Sequence, residues 1–101
     1  MLSDVFHRRV LPFTVLNDGE TIVFNTSNGH YYGLTGAVKE VWGLVDGVRT
    51  IRQIKQELLQ SYEVSSEQIE RDVDQSVADL VQIGLIEPAN TAVQHVEAGR
   101  Q

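Results

Sequence analysis

The chain has 101 residues, of which 42% are hydrophobic, so it holds enough apolar material for one small domain with one modest core. Its formal net charge of −6 disfavours a surface that binds nucleic acid, because such binding depends on clustered lysine and arginine. The absence of cysteine excludes disulfides, thiolate zinc sites and a cysteine nucleophile.

The sequence also indicates no membrane segment and no metal site. No apolar run reaches the roughly 20 residues that a helix needs to cross a bilayer, and the N-terminus does not resemble a secretory signal, so we expect a cytoplasmic protein. Basic residues concentrate only in His7-Arg8-Arg9 and in the pair Arg49 and Arg52. The three histidines lie far apart in sequence, so we expect neither a bound metal nor another cofactor.

Three strands are predicted in the first third of the chain. The first covers Leu11 to Leu16 and is followed by the turn signal Asn17-Asp18-Gly19. The second covers Glu20 to Asn25, which is rich in β-forming residues, and the third covers His30 to Leu34. The two connections between these strands are short enough for hairpins, so the strands predict an antiparallel sheet.

The register of the second hairpin has two possible solutions. A three-residue turn with Gly29 in the left-handed region places four side chains on one face: Ile22, Phe24, Tyr32 and Leu34. A two-residue turn instead groups Val23 with Tyr32 and Leu34. We favour the first solution because it gathers more apolar surface on one side. The choice also decides which of Tyr31 and Tyr32 packs inward, since neighbouring side chains alternate across a sheet.

Two helices with readable ends follow the strands. The first is predicted from Gly36 to Val45, with Thr35 as N-cap and Gly47 as its stop. The second begins after Thr50, whose hydroxyl and the side chain of Gln53 form a capping box.

A third helix is predicted after Ser65, its N-cap, and should end at Gly84. Its polar face is acidic. Its inward stripe comprises Ile69, Val73, Val77, Leu80 and Val81. Residues 1–87 therefore read as one domain, and Pro88 opens a flexible C-terminal tail over residues 88–101.

An ordered series of residues resembles a known family. The series consists of Leu34 and Trp42, Asp46-Gly47, Thr50-Ile51-Arg52-Gln53-Ile54, Tyr62-Glu63-Val64, Asp72-Val73 and Gly84-Leu85-Ile86. Over about residues 20 to 87 it is similar to the PqqD-like family, the precursor-recognition proteins of ribosomally made, post-translationally modified peptide pathways. Family members often have Asn at the position of Thr35. We also find no Leu-Leu-x-Pro-Glu segment, which favours a lasso-peptide-type or other standalone member over a true pyrroloquinoline quinone protein.

The resemblance implies an α+β fold of the winged helix-turn-helix type, with a three-stranded antiparallel sheet followed by three helices. It also implies a non-enzymatic adaptor that binds the leader segment of a precursor peptide. The leader adds as a strand beside the third strand and lies against the last helix. The adaptor then presents the precursor to a modifying enzyme or a leader peptidase of the same pathway.

Carried onto this chain, the resemblance predicts two sets of peptide-binding residues. The pairing strand supplies His30, Tyr31, Tyr32, Gly33 and Leu34. The last helix supplies an apolar floor of Val73, Ser76, Val77 and Leu80, with Asp72 and Asp79 at the rim for a basic group on the leader. An apolar stripe is also the ordinary condition of a core helix, so each floor residue has a purely structural reading.

Two other functions fit parts of the sequence. The order of strands and helices also describes a winged-helix regulator that binds DNA or another protein, and Arg49, Arg52 and Lys55 on the second helix support it. The acidic third helix opposes it, because a recognition helix needs basic or amide side chains. A homodimer is possible because an exposed edge strand can pair with its own copy. The acidic runs lie on a polar helix face, so they do not predict an enzyme.

Overall fold

The computed structural model describes residues 4–89. Its elements in chain order are β1 (Phe6–Arg8), β2 (Phe13–Val15), β3 (Thr21–Asn25), β4 (His30–Leu34), α1 (Gly36–Leu44), α2 (Ile51–Ser61), α3 (Ser66–Gln82) and β5 (Ile86–Pro88). Within the described residues, none of the helices combines the length and apolar character needed to cross a bilayer. Most of the predicted tail, residues 90–101, lies outside the described part of the chain.

The predicted three-stranded antiparallel sheet is confirmed, with the strand order β2-β3-β4. The structure adds a second, two-stranded sheet in which β1 pairs antiparallel with β5. Pro88, which we expected to open the tail, belongs to β5 and lies opposite Phe6. The pairing holds the last strand because Leu85 and Ile86 are buried in the core and Phe6 packs against that core.

The favoured register of the β3–β4 hairpin is wrong. Residues 26–29 form a four-residue loop, in which Gly29 has φ +78° and donates its N–H to the carbonyl of Asn25 at 2.8 Å. In the resulting register the pairs on the core face are Thr21 with Leu34 and Val23 with Tyr32. The pairs on the outer face are Ile22 with Gly33 and Phe24 with Tyr31.

The error arises because apolar side chains also cover the outer face of this sheet. Phe24 packs against Tyr31 with 4.6 Å between ring centroids, so it gains an aromatic partner without entering the core. Tyr31 is therefore the exposed tyrosine, with 71% of its surface accessible, and Tyr32 is half-buried against the core.

All three helices begin after the N-cap residues that the sequence predicts, and two of these caps make side-chain hydrogen bonds. In the capping box of α2, Thr50 Oγ1 accepts from the Gln53 N–H at 3.1 Å, and Gln53 Oε1 accepts from the Thr50 N–H at 2.8 Å. Ser65 Oγ accepts from the Gln68 N–H at the start of α3. Thr35 occupies the predicted N-cap position of α1, although its side chain makes no capping hydrogen bond.

The core lies between the inner face of the sheet and the three helices. Its fully buried side chains include Val23, Val41, Val45, Ile54, Val73, Leu80, Leu85 and Ile86. Trp42 is also buried. Val81 was predicted to face inward, yet it is 41% exposed. The α-helix turns by about 100° per residue, so Val81 cannot share the direction of its neighbour Leu80.

Candidate functional site

The outer edge of β4 presents backbone groups that no other strand uses. Phe24 donates its N–H to Pro12 at 2.9 Å, so its backbone groups point toward β2 and those of Val23 point toward β4. Tyr32, opposite Val23, therefore bonds with β3. The residues of β4 whose N–H and C=O groups point away from β3 are Tyr31 and Gly33. Among residues 4–89, β4 has no strand neighbour other than β3.

The side chains of β4 divide between the two faces of the sheet. His30, Tyr31 and Gly33 are exposed, whereas Leu34 is buried and belongs to the core. Tyr32 faces inward and packs against the core, and its hydroxyl accepts a hydrogen bond from Asn28 Nδ2 at 3.1 Å. All five predicted residues thus lie on one edge strand, although Leu34 is buried and its backbone groups, like those of Tyr32, point toward β3.

Two observations relate one side of α3 to the two ends of β4. Residues spaced by four, three and four positions share one side of a helix, and here they are Asp72, Ser76, Asp79 and Ile83. Asp72 lines a cavity together with Gly36 and Ala37, which follow directly after β4. At the other end, the carbonyl of Ile83 accepts from Asn25 Nδ2 at 2.9 Å, and Asn25 lies opposite His30.

The two walls have matching lengths. A five-residue strand spans about 17 Å at about 3.3 Å per residue, and the helix from Asp72 to Ile83 spans about 17 Å at about 1.5 Å per residue. We call the space between them the β4–α3 groove. Its residues are Tyr31, Tyr32, Gly33, Asp72, Ser76, Asp79 and Ile83.

The other predicted floor residues are placed differently. Val73 and Leu80 are fully buried in the core, and Val73 also borders the cavity beside Asp72. Val77 lies on the opposite side of the buried stripe, the side that carries Glu70 and Asp74. Both of those carboxylates are bonded to Lys55 of α2, at 2.8 and 3.0 Å. Val77 therefore faces the α2 side of α3.

Ser76 is the polar residue at the base of the α3 wall. Only 2% of its surface is accessible. Within residues 4–89, its hydroxyl makes no hydrogen bond to a protein atom, although a buried hydroxyl without a partner costs about 1–3 kcal/mol. Its small polar side chain lies in the buried stripe of α3, between Val73 and Leu80.

The α3 wall is negatively charged. Asp72 accepts a hydrogen bond from Gln68 Nε2 at 3.3 Å, and Asp79 accepts one from Gln75 Nε2 at 2.9 Å. Neither carboxylate lies within 4.0 Å of a basic side chain of the described residues, so both charges are available to a cationic partner. Residues 4–89 contain no cluster of three or more histidine, aspartate or glutamate side chains arranged to hold a metal ion.

An apolar cavity of about 210 Å³ lies at the Leu34 end of the groove, beside Asp72. Its lining includes Ala37, Leu58, Tyr62 and Val64. Burial, followed by the nearby carboxylate of Glu40, raises the pKa of Tyr62 above its ordinary value, so this phenol stays neutral at physiological pH.

Sequence reasoning missed two parts of this site. Ile83 and Asn25 fix the end of α3 against the sheet, but they are 58 residues apart and share no local pattern. Gly36 and Ala37 line the cavity next to Asp72. The spacing of Asp72, Ser76, Asp79 and Ile83 was visible in the sequence and identifies one side of α3, although it does not say what that side faces.

Comparisons with known proteins identify a family and two similar structures. The family model described as coenzyme PQQ synthesis protein D (PqqD) matches residues 20–86. The structure of TbiB1 in complex with the TbiA(beta) leader peptide is similar, with a TM-score of 0.70 and 21% identity over 80% of this chain and 94% of that one. Lasso peptide synthetase B1 complexed with its leader peptide gives the same score and identity over 82% and 98% of the two chains.

A comparison with curated protein sequences found no match. The two structural similarities support the winged-helix-like α+β fold that the sequence predicts. The family match covers most of the chain and includes β3, β4 and all three helices. The chain therefore belongs to the PqqD family.

Proposed function

We propose that this protein is a non-enzymatic adaptor that binds the leader segment of a precursor peptide in the biosynthesis of a ribosomally made, post-translationally modified peptide. The leader adds as a strand to the free edge of β4 and lies in the β4–α3 groove. The adaptor then presents the precursor to a modifying enzyme or a leader peptidase in the cytoplasm. The observation that carries this proposal is an unpaired strand edge with a helix wall of matching length beside it.

The sheet has two edges, and β4 is the better one for strand addition. β2 has three residues and follows Pro12, and short strands and proline are features that discourage pairing at an edge. β4 has five residues and offers the N–H and C=O groups of Tyr31 and Gly33. Backbone hydrogen bonds supply affinity in strand addition, and side-chain pockets supply specificity.

The groove also indicates what kind of leader it accepts. Asp72 and Asp79 favour a leader with a basic side chain facing α3, and the cavity beside Asp72 accepts an apolar side chain. Charges at a rim act mainly on the association rate and on specificity. The similar structures of TbiB1 and of lasso peptide synthetase B1 are both complexes with a leader peptide, which supports assigning the same class of ligand to this chain.

The DNA-binding alternative receives less support from the contacts of α2. Arg49 is paired with Asp46 at 2.8 Å, and Lys55 is paired with Glu70 at 2.8 Å. Among the three basic residues that favoured a regulator, only Arg52 makes no ion pair with the described residues. One free arginine beside an acidic α3 is a weak phosphate-binding surface.

Fluorescence anisotropy tests the proposal directly. The full chain is titrated into a fluorescein-labelled leader from the precursor gene beside its own gene, and in parallel into a labelled DNA duplex. We expect saturable leader binding and no specific DNA binding. The absence of leader binding at high micromolar protein, together with a salt-sensitive DNA shift, would refute the adaptor function.

A further inference from the structure

The opposite edge of the sheet carries a surface that leader binding does not use. It is formed by Arg8, Val10, Phe13 and Trp42, and we call it the Arg8 surface. Val10 is completely exposed, and Phe13 is 54% exposed. Exposed apolar side chains placed together on a small protein mark interaction surfaces more often than isolated ones do. This surface lies on the β2 side of the sheet, whereas the β4–α3 groove lies on the β4 side.

Trp42 organises the Arg8 surface from below. The Phe13 ring meets it edge to face, with centroids 5.0 Å apart and planes at 74°. The guanidinium of Arg8 lies 4.7 Å from the centroid of the Trp42 ring, a cation–π contact that orders the side chain without neutralising its charge. No carboxylate of residues 4–89 lies within 4.0 Å of this guanidinium, so its charge remains available.

The neighbouring Arg9 has a different role. Its guanidinium donates to the Gly84 carbonyl at 2.9 Å and to Ser27 Oγ at 2.8 Å, which fastens the segment between β1 and β2 to the end of α3. Arg8 and Val10 are thus displayed on either side of an anchored residue. A pre-ordered surface loses less conformational entropy when a partner binds.

The size of the cavity on this surface indicates the size of the group it accepts. A depression of about 210 Å³ is lined by Arg8, Arg9, Val10, Leu11, Phe13 and Trp42. Sites for small-molecule ligands usually enclose about 300–1,000 Å³, so this one suits a single large side chain of a macromolecule.

We propose that the Arg8 surface binds an acidic segment of a partner protein, with an aromatic or aliphatic side chain of that segment seated against Phe13 and Trp42. Charge complementarity carries this choice of partner. The chain has a net charge of −6, so a carboxylate-rich segment is repelled by most of the protein and attracted to Arg8.

A protein partner fits better than nucleic acid or a membrane. Binding to a phosphate backbone or to anionic lipids relies on several basic residues acting together, typically about four to eight at a membrane. The Arg8 surface offers Arg8, with the anchored Arg9 next to it, among apolar side chains, which is fewer basic residues than such binding needs. That combination matches a protein hot spot, where aromatic residues and arginine dominate the binding energy.

The proposal rests on the proposed function for the identity of the partner, which is then the enzyme that receives the precursor. Adjacent strands lie about 4.8 Å apart, so the two edges of a three-stranded sheet are separated by about 10 Å. A leader at β4 and an enzyme segment at the Arg8 surface therefore bind at the same time without overlapping.

Nuclear magnetic resonance on the ¹⁵N-labelled full chain tests the surface without a known partner. The probe is a synthetic peptide, Glu-Asp-Trp-Leu-Glu-Asp, and its control carries lysine in place of every acidic residue. We expect the acidic peptide to shift the Trp42 indole N–H and the amides of Val10 and Phe13. We expect R8E to weaken this binding at least tenfold, and R52E, the same charge change on α2, to leave it unchanged.

A second variant guards against misfolding. Val10 is completely exposed, so Val10→Asp should keep the fold while adding a repulsive charge. It should also weaken binding of the acidic peptide at least tenfold. The proposal is overturned if the lysine peptide causes equal shifts, if R52E loses as much affinity as R8E, or if the shifts map elsewhere. Stronger perturbation of Trp42 by phosphatidylglycerol vesicles or duplex DNA would also overturn it.

Leader binding is measured on the same variants to separate the two proposals. R8E should retain the wild-type affinity for the leader, because Arg8 lies on the edge opposite β4. If the leader fails to bind the wild type while the acidic peptide still shifts Trp42, the adaptor function falls and the Arg8 surface stands. If R8E weakens binding of the leader and of the acidic peptide to the same extent, the independence of the two sites is refuted.

Discussion

Replacing Gly33 by proline removes one backbone donor from the free edge of β4. Gly33 lies in the strand and is not among the glycines with positive φ, so its backbone is compatible with a non-glycine residue. Its N–H points away from β3, and proline is tolerated in sheets where the N–H faces solvent. The β3–β4 ladder should therefore survive the substitution.

The expected loss of leader affinity follows from the missing hydrogen bond and from the shape of the ring. A backbone hydrogen bond contributes about 0.5–1.5 kcal/mol net, which corresponds to about 2- to 12-fold in affinity at about 1.4 kcal/mol per tenfold change. The proline ring also occupies the position from which the leader carbonyl would approach. We therefore expect G33P to bind the leader about tenfold more weakly, or worse.

Gly33→Ala is the matched control. A Cβ at this position meets the carboxylate of Glu20, which is the end of a flexible side chain and can move aside in both variants. Alanine adds a side-chain carbon but keeps the N–H, so comparing G33A with G33P separates the effect of the lost donor from that of the added carbon. Val15→Pro provides the same change on the other edge, because Val15 lies opposite Thr21, whose backbone groups point toward β4. Both controls should bind the leader within about twofold of the wild type.

Fluorescence anisotropy with the labelled leader measures the affinities, and circular dichroism with thermal unfolding checks the fold. If G33P folds and binds the leader as tightly as G33A, the leader does not pair with the edge of β4. If V15P loses affinity while G33P does not, the leader pairs with β2 instead.

Three further variants each test one side chain: the buried hydroxyl of Ser76, the charge of Asp72 and the carboxylate of Asp46. Ser76→Ala should raise the free energy of unfolding by about 1 kcal/mol in urea denaturation, because it removes a buried hydroxyl without a protein partner and improves helix propensity. Asp72→Asn should slow leader association at low salt in stopped-flow measurements, whereas Glu67→Gln, on another side of α3, should not. Asp46→Asn should be less stable than the wild type at pH 7 and equally stable near pH 2. The reason is that backbone hydrogen bonds to the Asp46 carboxylate, with the Arg49 N–H contributing most, hold its pKa below the usual 3.8.

The pH dependence at Asp46 has a definite sign. A lowered folded-state pKa stabilises the native protein above the unfolded-state pKa, and that stability is lost as the pH falls through the folded-state pKa. A constant difference between variant and wild type down to pH 2 would contradict this. A loss of stability in Ser76→Ala would mean that the hydroxyl has a partner, and equal slowing by both charge-neutralising variants would mean that Asp72 acts only through net charge.

Features set by neighbouring residues were predictable from the sequence. The capping box of Thr50 and Gln53 depends on residues within one turn, and the resemblance of the ordered series from Leu34 to Ile86 pointed to the family that the match confirms. The edge strand His30–Leu34 was located with its observed bounds for the same reason, since its turn and its β-forming residues are contiguous.

Features set by distant contacts were not predictable. The hairpin register depended on a loop of four residues rather than three, and one residue of difference exchanges the two faces of a strand. The pairing of β1 with β5 joins the two ends of the domain through three-residue strands, which carry too little periodicity to be recognised. The stripe on α3 was visible, but its placement relative to the sheet depends on distant contacts: Ile83 with Asn25, and Asp72 with Gly36 and Ala37 around one cavity.

The charge of the α3 wall has a consequence for how the free edge of β4 is protected. An exposed edge strand can pair with a second copy of itself, and proteins often prevent this with charge. Antiparallel pairing of two β4 strands would bring two α3 walls toward each other, each with Asp72 and Asp79, and like charges placed together oppose association. A leader strand with a basic side chain gains from the same carboxylates. On the proposed function, we expect the acidic wall to discriminate between the two possible strands by repelling one and attracting the other, which is how binding sites commonly achieve specificity.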